Sequence, residues 1–156
     1  MKKEFYLGYL LIAATFSLNA QSISKNTIGF RLGFGGEISY QKALNDNYRL
    51  EINVGIRNNS DYNGFKATGV YQWVWTLEDK FNWYAGAGSG IGNYNAKKNN
   101  DAFSDTFIFV AGTIGIEYSF DIPLMISLDL RPEISFGKDN FNDYGNDLGL
   151  GIRYQF

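Results

Sequence analysis

The chain contains no histidine and no cysteine, and only two prolines among 156 residues. The first absence removes Ser-His-acid hydrolysis and every metal site built on imidazole. The second removes disulfides, so an exported chain must take its stability from a core or from a membrane. It also removes the lipid-modified cysteine that a lipoprotein anchor requires. With Lys2, Lys3 and Glu4 set aside, twelve basic residues face fifteen acidic ones, a net charge of −3. There is no basic patch, and nucleic acid is excluded as a partner. Beyond residue 20 no apolar run is long enough for a membrane helix, which needs about 20 residues. A barrel can still span, because each of its strands needs only about 9–11 alternating residues.

Residues 1–20 stand apart. Lys2 and Lys3 precede a mostly apolar stretch from Leu7 to Leu18, and a small residue, Ala20, closes it. That is the pattern of a secretory signal peptide cleaved after Ala20, which leaves residues 21–156 as one domain.

What is present is alternation. In residues 124–136 one face reads Leu124, Ile126, Leu128, Leu130, Pro132, Ile134 and Phe136. The other reads Met125, Ser127, Asp129, Arg131, Glu133 and Ser135. A period of two marks a strand with one apolar and one polar face. The same split predicts eight strands, at residues 27–34, 36–44, 47–57, 65–77, 81–94, 106–120, 124–136 and 147–156. Short connections around Asn45, Asp79 and Ile122 alternate with longer polar ones at 58–64, 95–105 and 137–146, as in an up-and-down barrel with tight turns at one end. The first hairpin is the ambiguous one. Residues 27–44 could be one strand bent at Gly35 and Gly36, giving seven strands. A tight turn there gives eight and keeps both chain ends on the short-turn side.

Hairpin register places long polar side chains opposite small ones. Pairing Phe120 with Leu124 sets Gly115 against Asp129, Thr113 against Arg131 and Ala111 against Glu133. Pairing Leu77 with Phe81 sets Gln72 against Gly86 and Lys66 against Gly92, and pairing Leu44 with Tyr48 sets Glu37 against Gly55 and Gly35 against Arg57. A narrow lumen needs this economy of volume. The charged face would hold Arg31, Arg49, Arg57, Lys66, Arg131 and Arg153 with Glu37, Glu51, Glu117, Asp129, Glu133 and Asp147. Six of each sign suit a closed interior, where an unpaired charge is very costly. Mixed signs also suit an ordinary wet surface. The aromatics discriminate better. Tyr40, Tyr48, Trp75, Phe81, Trp83, Tyr118, Phe120, Tyr154 and Phe156 all fall on the apolar face near the short turns or the C-terminus. A ring at one level is the girdle of a membrane barrel, where Trp and Tyr sit among the headgroups.

The last strand, residues 147–156, carries apolar residues at 148, 150, 152 and 154 and ends on Phe156. Together with the segments GGEISYQKAL and FNWYAGAGSGIG, it resembles the small eight-stranded outer-membrane barrels of Gram-negative bacteria, the class of OmpX and the OmpA barrel domain. The near-absent first outer loop at Gly35 and Gly36 departs from that class. The resemblance implies an all-β, antiparallel, up-and-down eight-stranded transmembrane β-barrel in the outer membrane. Its surroundings would be outer-membrane lipids, and Tyr154 and Phe156 would form the signal read by the barrel-assembly machinery. The missing histidine separates the chain from the outer-membrane lipases, lipid A-modifying enzymes and proteases.

No other constellation points to catalysis or to a cofactor. Asp129 and Glu133 could work as an acid–base pair, but Arg131 between them favours an ion-pair network. Gly86, Gly88, Gly90 and Gly92 alternate within a strand, unlike a phosphate loop, which opens a helix. Asp139, Asp143 and Asp147 lack the ligand spacing and central glycine of a calcium-binding EF-hand loop. The expectation is therefore a filled barrel, not an enzyme, with a structural or surface-interaction role. Phe103, Phe141 and Tyr144 are the candidate loop contacts for an unknown surface partner. The alternatives are a soluble secreted barrel holding a small apolar ligand, which needs the apolar face inside, and a narrow solute channel, which eight strands disfavour.

Overall fold

The computed structural model describes residue 23 and residues 25–58, 62–98, 101–136 and 144–156; at residues 57, 58, 62, 94, 96–98, 101–103 and 144 it describes the backbone alone. The expected signal peptide lies outside the described residues. The strands are β1 (Thr27–Leu32), β2 (Gly36–Ala43), β3 (Tyr48–Asn58), β4 (Tyr62–Glu78), β5 (Phe81–Lys98), β6 (Asp101–Ser119), β7 (Leu124–Phe136) and β8 (Tyr144–Gln155). Each pairs antiparallel with the next, and β8 returns to pair with β1, from Thr27 against Gln155 to Leu32 against Leu150. The barrel is closed, so no strand is left as an edge along its length in the wall.

The eight-strand count stands, with residues 33–35 as the tight first connection. The short turns have local causes. The Asn45 side chain accepts hydrogen bonds from the backbone N–H of Asn47 and of Tyr48, each at 3.0 Å, which closes the β2–β3 turn. Phe120 N donates to Leu124 O at 2.9 Å across the β6–β7 turn.

Three expectations need correction. Residues 95–105 are not a long loop: β5 runs to Lys98 and β6 starts at Asp101, paired throughout. The connection expected at 58–64 shrinks in the same way, with Asn58 against Asn63. These segments are mostly polar in sequence, so apolar alternation fades while the ladder continues. Second, Leu77 does not pair with Phe81. A bulge between Thr76 and Glu78 sets Glu78 against Phe81, and the expected register resumes above it, with Gln72 against Gly86 and Lys66 against Gly92. Third, β8 starts at Tyr144, three residues before the expected 147, so Asp147 lies within the strand and not at its start. Glu37 against Gly55, Gly115 against Asp129 and Ala111 against Glu133 follow the hairpin arithmetic, whereas Gly35 does not pair with Arg57 because β2 starts at Gly36, and the β6–β7 ladder skips Thr113 and Arg131 next to Pro132.

The barrel is inverted relative to a water-soluble one. Phe30 and Leu148 are each 61% exposed and Ile56 is 75% exposed, and apolar residues of every strand face outward. Arg31 and Arg131 are fully buried, and most of the remaining charged residues in the strands are inside with them. In water this arrangement exposes its apolar surface around the whole circumference. In a bilayer it is the stable one, because the closed ladder satisfies the backbone without solvent.

Candidate functional site

The lumen is the most chemically dense part of the molecule. Arg31, on β1, donates through Nη2 to Asp129 at 2.6 Å and through Nη1 to Asp147 at 2.7 Å, and its Nη1 lies 3.5 Å from Glu37. Arg131, on β7, donates to Glu37 at 3.0 Å and to Glu51 at 2.9 Å. Arg153, on β8, donates to Ser39 at 3.0 Å and to Ser127 at 2.6 Å, with Glu51 at 3.4 Å. Arg49, on β3, faces Glu117 at 2.7 Å and donates to Gln72 at 2.6 Å. Lys66, on β4, bridges to Glu133 at 2.5 Å. The network thus ties strands together across the barrel. Arg57 lies on β3, and its side chain is outside the described residues.

Arg131 does not pair with its neighbours on its own strand. Asp129 belongs to Arg31 and Glu133 to Lys66, while Arg131 crosses to β2 and β3. Successive inward side chains of one strand stand about 7 Å apart and point the same way, so partners come from across a narrow lumen. Each carboxylate of the Asp129–Glu133 pair is engaged by its own cation. Asp147 also accepts from Phe34 N at 2.9 Å, pinning the first hairpin.

Aromatic residues occupy the lumen as well, and alternation alone would have placed them there. Tyr84, Phe109 and Val70 are buried beside the glycines of β5. The open space at Gly90 and Gly92 is taken by the rings of Phe109 and Phe107, so the alternating glycines accommodate rings from β6 as well as long polar side chains.

On the outside, the girdle near the short turns is built of ring contacts. Trp75 and Trp83 stack with centroids 4.3 Å apart, Tyr118 meets Phe120 edge-on at 4.9 Å, and Tyr154 stacks on Phe156 at 6.4 Å. Tyr71 and Trp73 join it from β4, 5.2 Å apart, on the same parity as Trp75. Phe156 also closes the barrel seam, its N–H donating to Asn26 O at 2.9 Å. Below the girdle, Lys80 lies 2.5 Å from Asp121, and that hydrogen bond raises its pKa above the ordinary lysine value.

Of the three candidate loop contacts, Phe103 lies on β6 and Tyr144 opens β8, their side chains outside the described residues. Phe141 lies outside the described residues altogether.

A closed eight-stranded barrel with an apolar exterior and a charged, packed interior is a transmembrane β-barrel of the outer-membrane type. Among solved structures it is similar to the N-terminal β-barrel domain of Pseudomonas aeruginosa OprF, with a TM-score of 0.68 and 15% identity over 85% of this chain and 96% of that one. It is also similar to Ail, the attachment invasion locus protein of Yersinia pestis, with a TM-score of 0.61 and 13% identity over 85% of this chain and 97% of that one. No protein-family profile and no curated protein matches the chain.

Proposed function

We propose that the protein is an integral outer-membrane barrel that acts outward, in surface contact or envelope maintenance, and not as an enzyme or a pore. The observation that carries this reading is the height of β4, β5 and β6. Their outward apolar residues end at Phe65, Ile91 and Ile108, yet the ladder continues through Asn63, Asn93, Ser104 and Thr106. A polar sheet that rises beyond the lipid band is available to a partner. The name of Ail, an attachment protein, agrees with such a role. The buried ion pairs support a filled interior over a solute path, and the rings of Tyr84 and Phe109 pack the apolar part of that interior.

In this reading residues 1–20 direct export and are removed, and the short turns and both chain ends lie in the periplasm. Outer-membrane lipids surround the apolar band, and the barrel-assembly machinery reads Tyr154 and Phe156. Cell fractionation with proteolysis of intact cells tests it. The protein should pellet with the outer membrane, change its apparent mass on a gel when boiled, and be cut from outside only at the β5–β6 end. Recovery in a soluble fraction without detergent would overturn the membrane placement, and cleavage only in lysed cells would overturn the orientation.

A further inference from the structure

At the short-turn end the lumen opens into a cavity of about 310 Å³, with buried Arg49 and Glu117 in its wall and exposed Lys25 and Asp79 at its rim. Arg49 is 1% exposed. Its Nε donates to Gln72, its Nη1 lies 2.7 Å from Glu117 as an ion pair, and its guanidinium carbon lies 4.7 Å from the centre of the Tyr84 ring. Its Nη2 has no acceptor. Asn82 approaches the same carboxylate from the other side, donating to Glu117 Oε1 at 3.2 Å, and its Oδ1 has no donor. Around Glu117, then, Arg49 Nη2 is an unfilled donor and Asn82 Oδ1 an unfilled acceptor, and Glu117 Oε2 itself, though 2.7 Å from Arg49 Nη1, accepts no hydrogen bond. Buried polar groups are nearly always satisfied, and an unpaired charged donor is among the costliest exceptions.

The charges around the cavity narrow what would complete it. Glu117 balances Arg49, and Asp121 holds Lys80. Lys25 and Asp79 remain at the rim, one of each sign. A simple anion would satisfy Arg49 and leave Asn82 and Asp79 unmatched. The volume is at the small end of ligand sites, which run from about 300 to 1,000 Å³.

We propose that this cavity binds a small zwitterion of the amino-acid or short-peptide type. The carboxylate is taken by Arg49 Nη2 and Lys25, and the ammonium or amide N–H by Asn82 Oδ1 and Asp79. The site lies at the opposite end from the outer hairpins and does not depend on a surface role.

The test is a nuclear magnetic resonance titration of the 21–156 chain refolded in micelles, with glycyl-alanine as probe. The side-chain amide signals of Asn82 and Gln155 should shift and saturate. Amidating the probe's carboxylate or acetylating its amine should each weaken binding about tenfold, the equivalent of one charge-assisted hydrogen bond. Arg49→Lys should abolish saturation. Asn82→Leu, at a half-buried position, should weaken binding about tenfold in a barrel that still shows the folded gel mobility. Shifts that never saturate, or that sodium chloride reproduces, would mean a cavity holding only water and overturn the proposal. Equal saturation by inorganic phosphate would overturn the zwitterion in favour of a plain anion site.

Discussion

The two sides of this barrel are held by different means. On one side β4, β5 and β6 carry 17, 18 and 19 residues, and on the other β1 and β2 carry six and eight. Behind the tall wall the lumen holds Val70, Tyr84, Phe109 and glycines, together with buried Lys66, Gln72 and Glu117. Behind the low wall it holds Arg31, Arg131 and Arg153 with their carboxylates. A long ladder with apolar packing behind it supports itself. A six-residue seam between β1 and β8 does not, and Arg31 reinforces it by reaching β2, β7 and β8 at once. Three of the four buried arginines of the network cluster toward the short ladder, while Lys66 on β4 and Glu117 on β6 leave one buried charge of each sign on the tall wall.

The most severe way to break that division is to remove the stitching. Arg31→Met leaves Glu37, Asp129 and Asp147 facing one another in a closed space. Losing one partner of a buried ion pair costs about 3–5 kcal/mol, and three acids share this one. Arg131→Glu should act similarly, by adding a third acid beside Glu37 and Glu51. Urea titration of the micelle-refolded barrel, read by gel mobility, should show the midpoint fall sharply for both. An unchanged midpoint would mean that water reaches this face and the stitching is idle.

The tall wall should yield less. Phe109→Ala opens a cavity beside Gly90, and Phe→Ala changes cost about 3–5 kcal/mol in closed cores. Here about 3 kcal/mol is expected, because the β5–β6 ladder is untouched and its end is wet. If Phe109→Ala proves as damaging as Arg31→Met, the two walls are not differently built.

That contrast was only half legible in the sequence. Alternation and turn positions were enough to set Lys66 against Gly92 and Glu37 against Gly55, because hairpin register is local arithmetic. The partners of Arg131 were not legible, because they depend on how closure brings β7 opposite β2 and β3. The bulge at Leu77 was hidden for a related reason, since an extra residue changes register without changing the alternating pattern above it. The height of β5 and β6 is hidden because Asn95, Lys97 and Lys98 read as loop where no membrane enforces an apolar face. Tyr71 and Trp73 were readable by parity alone and complete the girdle on the tall side.

The seam predicts a smaller, separable effect. Phe156 ends the outward stripe of β8 and is 56% exposed. Deleting it removes a stacked ring and two backbone hydrogen bonds to Asn26 at the very end of the ladder. Exposed backbone bonds of this kind contribute about 1 kcal/mol each at most, so refolding in micelles should change little. The folded amount in cells should fall several-fold if the residue is read during assembly. Equal losses in cells and in micelles would make Phe156 a structural residue of the seam and nothing more.

The mildest change falls on the top of the tall wall. Replacing residues 94–105 by a short glycine-containing turn removes ladder above the apolar band and leaves the pairs from Lys66 against Gly92 downward in place. Surface changes away from packed features usually lie within about 0.5 kcal/mol, and the shortened barrel should keep its urea midpoint to about that extent. Phe103 is lost with the segment; Phe141 and Tyr144 can be removed in a second variant by shortening residues 137–144. Aromatic residues are enriched among binding hot spots, which makes both segments the place to look for a partner. A surface-binding phenotype should disappear with one variant or the other while folding and membrane insertion persist. If binding survives both, the height of β4–β6 serves the envelope and not a partner, and the wall that rises highest would be the one with least to do.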